Sequence, residues 1–444
     1  MTAPSPIDDV VPTNAQLNVR QAAFIGVGAM VGAGIFSLLG AAGEVAGAAV
    51  WISFLLAGTV AMLQGYSFAK FGSRYPSAGG MLEYVRQGFG DGHITGVIAW
   101  LLLGANAIIT GMVAVSFGSY ASSAATDGDE NWAKVFAVGV VVVMTGLNVV
   151  GSKAVARVQT LVVVVVIGIL SIFAVSTLAN LDPDLLAPSN YPSVADIIAS
   201  IALTFFAFLG FGVITFTAKD LVNPSHQLPR AMYLALGIAT TIYVAVALGV
   251  FGTLTVDEVI ASGGTALAVA AEPTLGRAGY WMMTVTALFA TSGATNAGLY
   301  PAKGLCEEMT ETRQFPPVMG SLVAGRAAFG LVATAVAASL LAVFFDLSAI
   351  ASIGSVIALV VFTLITAGHI RVRSETGANV FVLGVAVATT VAVLVAFVFT
   401  SLVDEPATAV TLVAITVGSI AIDAWWKHRR DSADQTGPPV AAQI

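Results

Sequence analysis

The chain is dominated by apolar stretches close to the roughly 20 residues a helix needs to cross a bilayer. They fall at 20–45, 47–69, 94–122, 133–151, 157–179, 194–219, 230–252, 279–305, 321–344, 347–369, 379–401 and 404–426. Twelve spans leave short loops and, being even in number, place both ends of the chain on one face. Of 444 residues, 57% are hydrophobic and only 10% charged, whereas a soluble domain carries about a quarter charged residues. The sequence therefore predicts an all-α polytopic membrane protein whose constant partner is the lipid bilayer.

Assigning the loops to alternating sides separates the 18 lysines and arginines. All but Lys134 and Arg277 share the side of the termini, which the positive-inside rule makes the cytoplasm. A multi-pass protein of the plasma membrane follows, with cytoplasmic tails at 1–19 and 427–444. The first nineteen residues include Asp8 and Asp9 and lack the basic start of a cleaved signal. His93, His226, His369 and His428 lie in loops, span ends or the tail without ligand spacing on one helix face, and Cys306 is the single cysteine. There is no GxSxG elbow, phosphate-cradling loop or Cys/His cluster. No enzyme, cofactor, metal or nucleic-acid partner is expected.

"GVGAMVGAGIF", Gly26 to Phe36, loosens the first span with Gly26, Gly28, Gly32, Gly34 and β-branched Val31. Two readings stay open. Gly28 and Gly32 stand in the spacing of a close-packed helix face. Alternatively the helix breaks here, which membrane depth tolerates only where backbone lines a cavity or meets a ligand. A second such stretch, "FFAFLGFGVITFTAKD", Phe205 to Asp220, carries Gly210 and Gly212 in the sixth span. Two breaks five spans apart fit transporters built from inverted repeats, whose half-helix ends face substrate and ions. No Asp, Glu, Lys, Arg or His lies near the middle of any span, which removes the usual carriers of a proton relay.

"GVGAMVGAGIF", "GSRYPSAGGMLEYVRQGFG", "NVVGSKAVARVQT", "FFAFLGFGVITFTAKDLVNPSHQLPRA" and "DLSAIASIGSVIALVVFTL" together resemble the amino acid-polyamine-organocation permeases. The "GEVAGAAVWISFLLAGTVAMLQGYSFAKFGSRYPSAGG" run looks most similar to their cationic amino acid transporter-like members. The resemblance implies the leucine-transporter fold: one five-helix repeat at 20–180, its inverted counterpart at 194–370 and two further helices at 379–426. It implies a secondary transporter, symporter or antiporter, moving an amino acid by alternating access.

By that resemblance the substrate carboxylate meets the amides of Gly32, Ala33 and Gly34, at the positive end of a half-helix. The amino group meets the carbonyls of Met30, Phe206 and Leu209. Asn106 in the third span is a substrate-facing amide by the same resemblance, although buried amides in membranes commonly bond a neighbouring helix. Thr291, Ser292 and Thr295 suit a sodium ion or simply bond their own helix. Many relatives carry glutamate where Gly212 stands, and several proton-coupled ones carry a lysine that the fifth span lacks. A cationic side chain in a low-dielectric site wants a carboxylate partner. Its absence favours a neutral amino acid, and Gly212 is expected to enlarge the pocket for a bulkier apolar one. Coupling to Na+ or H+ stays open, as do a polyamine or cationic amino acid permease and a non-transporting sensor of the same fold.

Overall fold

The computed structural model describes residues 17–77, 79–150, 153–323, 325, 327–399 and 406–436. Residues 1–16 and 437–444 of the two expected tails lie outside the described residues. Helices α1 (Val19–Ala33) and α2 (Ile35–Ala46) share the first expected span. They are followed by α3 (Val50–Arg74), α4 (Met81–Phe89), α5 (His93–Ala125), α6 (Glu130–Val150), α7 (Lys153–Ala179) and α8 (Val194–Phe205). A tighter 3-10 segment, Phe206–Asp220, continues α8; then come α9 (Pro224–Phe251), α10 (Val256–Ser262), α11 (Ala266–Glu311), α12 (Phe329–Phe344), α13 (Leu347–Thr376), α14 (Val380–Phe397) and α15 (Pro406–Thr436).

Nine helical stretches among the described residues are long and apolar enough to cross a bilayer. The other three expected spans, at 20–45, 279–305 and 321–344, lie in the α1/α2 pair, in α11 and in α12. The span expected from 321 becomes helical only at Phe329, because strands β1 (Leu322–Val323) and β2 (Ala327–Ala328) pair antiparallel around Gly325, whose φ of 68° suits glycine.

Local chemistry sets the ends of the central helices. Asn18 accepts the Gln21 amide at 2.9 Å while the Gln21 side chain accepts the Asn18 amide at 3.0 Å, a reciprocal cap that starts α1. Ser193 and Asp196 start α8 in the same way. The 3-10 winding of Phe206–Asp220 far exceeds the few residues usual for that helix. Aromatics, two glycines and β-branched Val213, Ile214, Thr215 and Thr217 make this a poor α-helical sequence. The threonines then bond the carbonyl three residues back, Thr215 to Gly212 at 2.6 Å and Thr217 to Ile214 at 2.7 Å.

Helix α1 packs along the 3-10 segment, α9 and α11, while α5 lies against α6, α11, α12 and α13. Polar ties hold the outer helices. Gln64 of α3 donates to the Ala386 carbonyl of α14 at 3.1 Å and accepts from Thr366 of α13. Buried Asp423 and Lys427 of α15 pair at 2.9 Å, and Lys427 donates to the Gly92 carbonyl beside α5 at 2.8 Å. Their spacing of four residues puts them on one helix face, whereas their burial against the Gly92 turn comes from tertiary packing.

Candidate functional site

The first span is interrupted between Ala33 and Ile35, where Gly34 separates α1 from α2. The opening glycines show the close-packing reading at Gly32 and Gly34, while the sixth span runs through Gly210 and Gly212 as continuous 3-10 helix without the break expected there. A Cβ on Gly32 would run into the Ala290 carbonyl and Ala294 of α11, and one on Gly34 into Ala207 at the start of the 3-10 segment. From the other side, a Cβ on Gly210 would fall 2.5 Å from the Ala29 carbonyl carbon and the Met30 nitrogen. The first and sixth spans thus touch backbone to backbone, a contact only glycine permits. The Gly34 amide, expected to be free, donates to the Met30 carbonyl at 2.9 Å. Tyr243 of α9 reaches this junction and donates its hydroxyl to the Ala207 carbonyl at 3.0 Å. The side chain of Ala33 lies outside the described residues.

Beside this junction is a narrow apolar cavity. Ala29 comes from α1, Leu102 and Asn106 from α5, Leu209, Gly210, Val213 and Phe216 from the 3-10 segment, Gly298 and Pro301 from α11, and Phe362 from α13. These residues lie on the side of the break from which α1 starts. Asn106 is the one polar side chain among the described lining residues, and no charged group lines the cavity among them. Its backbone carbonyl accepts from Thr110 at 2.7 Å.

The opposite side is sealed. Phe36 and Tyr120 meet edge to face with ring centres 6.1 Å apart, and the Tyr120 hydroxyl donates to the Phe36 carbonyl at 3.4 Å. Further out, Ser123 and Tyr280 share a hydrogen bond of 2.6 Å between α5 and α11. Phe208 packs on Tyr243 at 5.1 Å, while Phe211 joins Phe68 and Phe362 beneath the cavity. None of these rings faces lipid.

Of the residues singled out by sequence, Asn106 and Leu209 line the cavity; Met30, Gly32, Gly34 and Phe206 are buried around the break. Phe206 packs against Ile108 and Gly354 on the α5 and α13 side. Gly212 does not enlarge the pocket as expected. The thioether of Met81 takes the space, its Cε 3.0 Å and Sδ 3.1 Å from where a Gly212 Cβ would stand. The three hydroxyls proposed for sodium bond their own helix: Thr291 to Ala287 at 2.6 Å, Ser292 to Leu288 at 2.6 Å and Thr295 to Thr291 at 2.8 Å. A second, smaller cavity between α1, α7 and α11 is lined by Gly28, Val31, Gly32, Val162, Val163, Val166, Ile167 and Ala290, all without side-chain oxygen.

The sequence missed α4, which supplies Met81 to the cavity. Its available signal was the Gly79-Gly80 pair: Gly80, at φ 54°, turns the chain tightly against Thr215 and Phe216. On α4, Arg86 pairs with Glu83 at 3.0 Å and Asp91 at 2.9 Å and approaches Glu308 at the end of α11 to 3.8 Å. Burial and the nearby Glu83 carboxylate raise the Glu308 pKa, against the pull of Arg86.

Residues 17–422 match the family described as amino acid permease. The inner membrane transport protein YbaT of Escherichia coli strain K12 is 32% identical over 87% of this chain and 90% of its own length. The vacuolar cationic amino acid transporter 2 of Arabidopsis thaliana is 28% identical over 80% of this chain and 59% of its own. The branched-chain amino acid permease BcaP of Bacillus subtilis strain 168 is 25% identical over 52% of this chain and 53% of its own.

Proposed function

The chain belongs to the amino acid permease family and is a multi-pass membrane transporter, and from that premise we propose that its substrate is a neutral amino acid with an apolar side chain. The carrying observation is the cavity wall, apolar throughout except for Asn106. A lysine or arginine side chain entering it would lose its hydration without gaining a carboxylate, at a cost of several kcal/mol. An aliphatic or aromatic side chain loses nothing there. The relatives named for cationic and for branched-chain amino acids do not choose between these classes, so the choice rests on the wall.

In this reading the backbone at the break holds the part common to all amino acids. Gly32, Ala33 and Gly34 offer amides to the carboxylate at the end of a half-helix; the Gly34 amide exchanges its bond to Met30 for the ligand. The carbonyls of Met30, Phe206 and Leu209 receive the amino group, and Asn106 fixes orientation. Residues 20–180 and 194–370 act as inverted repeats whose first helices rock together. With most basic residues on the α1 side, that side is the cytoplasm, and the cavity faces inward across the plasma membrane. Sodium is left out of this reading, because Thr291, Ser292 and Thr295 line neither cavity and the described residues around the smaller one bring no side-chain oxygen.

The test is a thermal-shift screen of purified protein against the twenty amino acids, putrescine, spermidine and agmatine, in sodium and in choline buffer, followed by uptake into proteoliposomes. A ligand at a hundredfold excess over its dissociation constant stabilises the folded state by about 2.7 kcal/mol. Leucine, valine or phenylalanine should raise the melting temperature equally in both buffers and then be taken up. Stabilisation by lysine, arginine or polyamines alone overturns the neutral substrate. Loss of the effect in choline restores the span-eight hydroxyls as a sodium site. Binding without flux identifies a sensor.

A further inference from the structure

We propose that Met81 sets the size limit of the substrate cavity, its thioether acting as a movable filler in the volume left by Gly212. The inference rests on the reading of that cavity as the amino acid site. Every other described lining residue belongs to α1, α5, the 3-10 segment, α11 or α13, the long elements of the core. Met81 alone comes from α4, the short helix that follows the Gly80 turn.

Three observations support a filler. Met81 is buried in the main apolar cluster with its thioether directly over Gly212, where the glycine leaves it room. Methionine has three rotatable bonds and a polarisable sulfur that suits aromatic neighbours, so it fills irregular gaps and leaves them at little cost. Phe362, which also lines the cavity, lies 3.9 Å from the same Gly212 position. The base of Met81 is itself held: Gly80 presses on Thr215 and Phe216, and Arg86 ties α4 towards Glu308 of α11.

The two residues predict opposite substitutions. Met81→Ala empties the filler's volume, whereas Gly212→Ala pushes the thioether aside by a few tenths of an ångström, because the new Cβ would stand 3.0 Å from Met81 Cε. Wild type, Met81→Ala, Gly212→Ala, the double variant and a volume-conserving Met81→Leu would be compared by thermal shift and proteoliposome uptake with alanine, valine, leucine and phenylalanine. One methylene in an apolar pocket is worth about tenfold or more in discrimination. Met81→Ala should move the phenylalanine-to-valine affinity ratio at least tenfold towards phenylalanine, and Gly212→Ala should move it the other way. The double variant should fall between them, and Met81→Leu should keep the wild-type ranking. Should Met81→Ala not be recovered folded, Gly212→Ala tests the same volume from the opposite wall. An unmoved ranking in variants that still bind overturns the role of Met81 alone. A wild type that binds none of the four amino acids overturns the reading of the cavity, and this inference with it.

Discussion

Asn106 is the one polar side chain among the described residues lining the cavity, and no hydrogen bond to its side-chain amide is present among the described residues. Asn106→Ala should therefore leave the melting temperature of the unliganded protein close to wild type. In the presence of the preferred amino acid it should lose the bound state's extra stability. A buried hydrogen-bonding group left without its partner costs about 1–3 kcal/mol, which is roughly 5- to 150-fold in apparent affinity. Titration of the thermal shift checks this, and undiminished affinity would move recognition onto the backbone alone. The residue was legible in the sequence because an isolated amide in a transmembrane helix needs an explanation. Met81 was not, because methionine in an apolar context carries no such signal.

At the scale of elements, the first and sixth spans are coupled through Tyr243. Its hydroxyl satisfies the Ala207 carbonyl where α-helical winding gives way to 3-10, and it stands beside Gly34 at the break in the first span. Tyr243→Phe would remove a second donor from a carbonyl that the 3-10 winding also pairs, a loss of about 0.5–1.5 kcal/mol. The melting temperature should fall even without ligand, and apolar amino acids should recover part of it. An unchanged melting temperature would mean the junction is held by packing alone. Both stretches were visible in sequence as glycines inside apolar runs. Their form was not. The first is a single interruption at Gly34, whereas the second rewinds 15 residues and so covers about 30 Å rather than about 22 Å.

At the scale of the molecule, the cavity lies on the α1 side of the break and the other side is closed by Phe36 with Tyr120 and by Ser123 with Tyr280. Exposure of the lining should therefore be one-sided. With buried Cys306 replaced by alanine, Val213→Cys should react with a membrane-impermeant thiol reagent in vesicles exposing the side of the termini. It should be protected when those termini face the lumen. Saturating substrate should slow the reaction. Equal labelling from both sides would contradict a closed outer face.

The sequence by itself determined the nearly all-helical membrane architecture, the approximate positions of most spans and the glycine-weakened stretch where α1 gives way to α2. These are properties of short stretches of chain: transfer into lipid depends on local composition, and a helix weakens where its own residues weaken it. Tertiary structure decided which glycines serve close approach, which carbonyl receives the Tyr243 hydroxyl, and that Met81 fills the space beside Gly212. Those outcomes depend on the register in which distant helices meet, and α4 and the 3-10 segment come together across more than a hundred residues of chain. The same separation hid the burial of Asp423 and Lys427 against Gly92. Burial of a charge pair is decided by the neighbour that covers it, and that neighbour is not written beside it in the sequence.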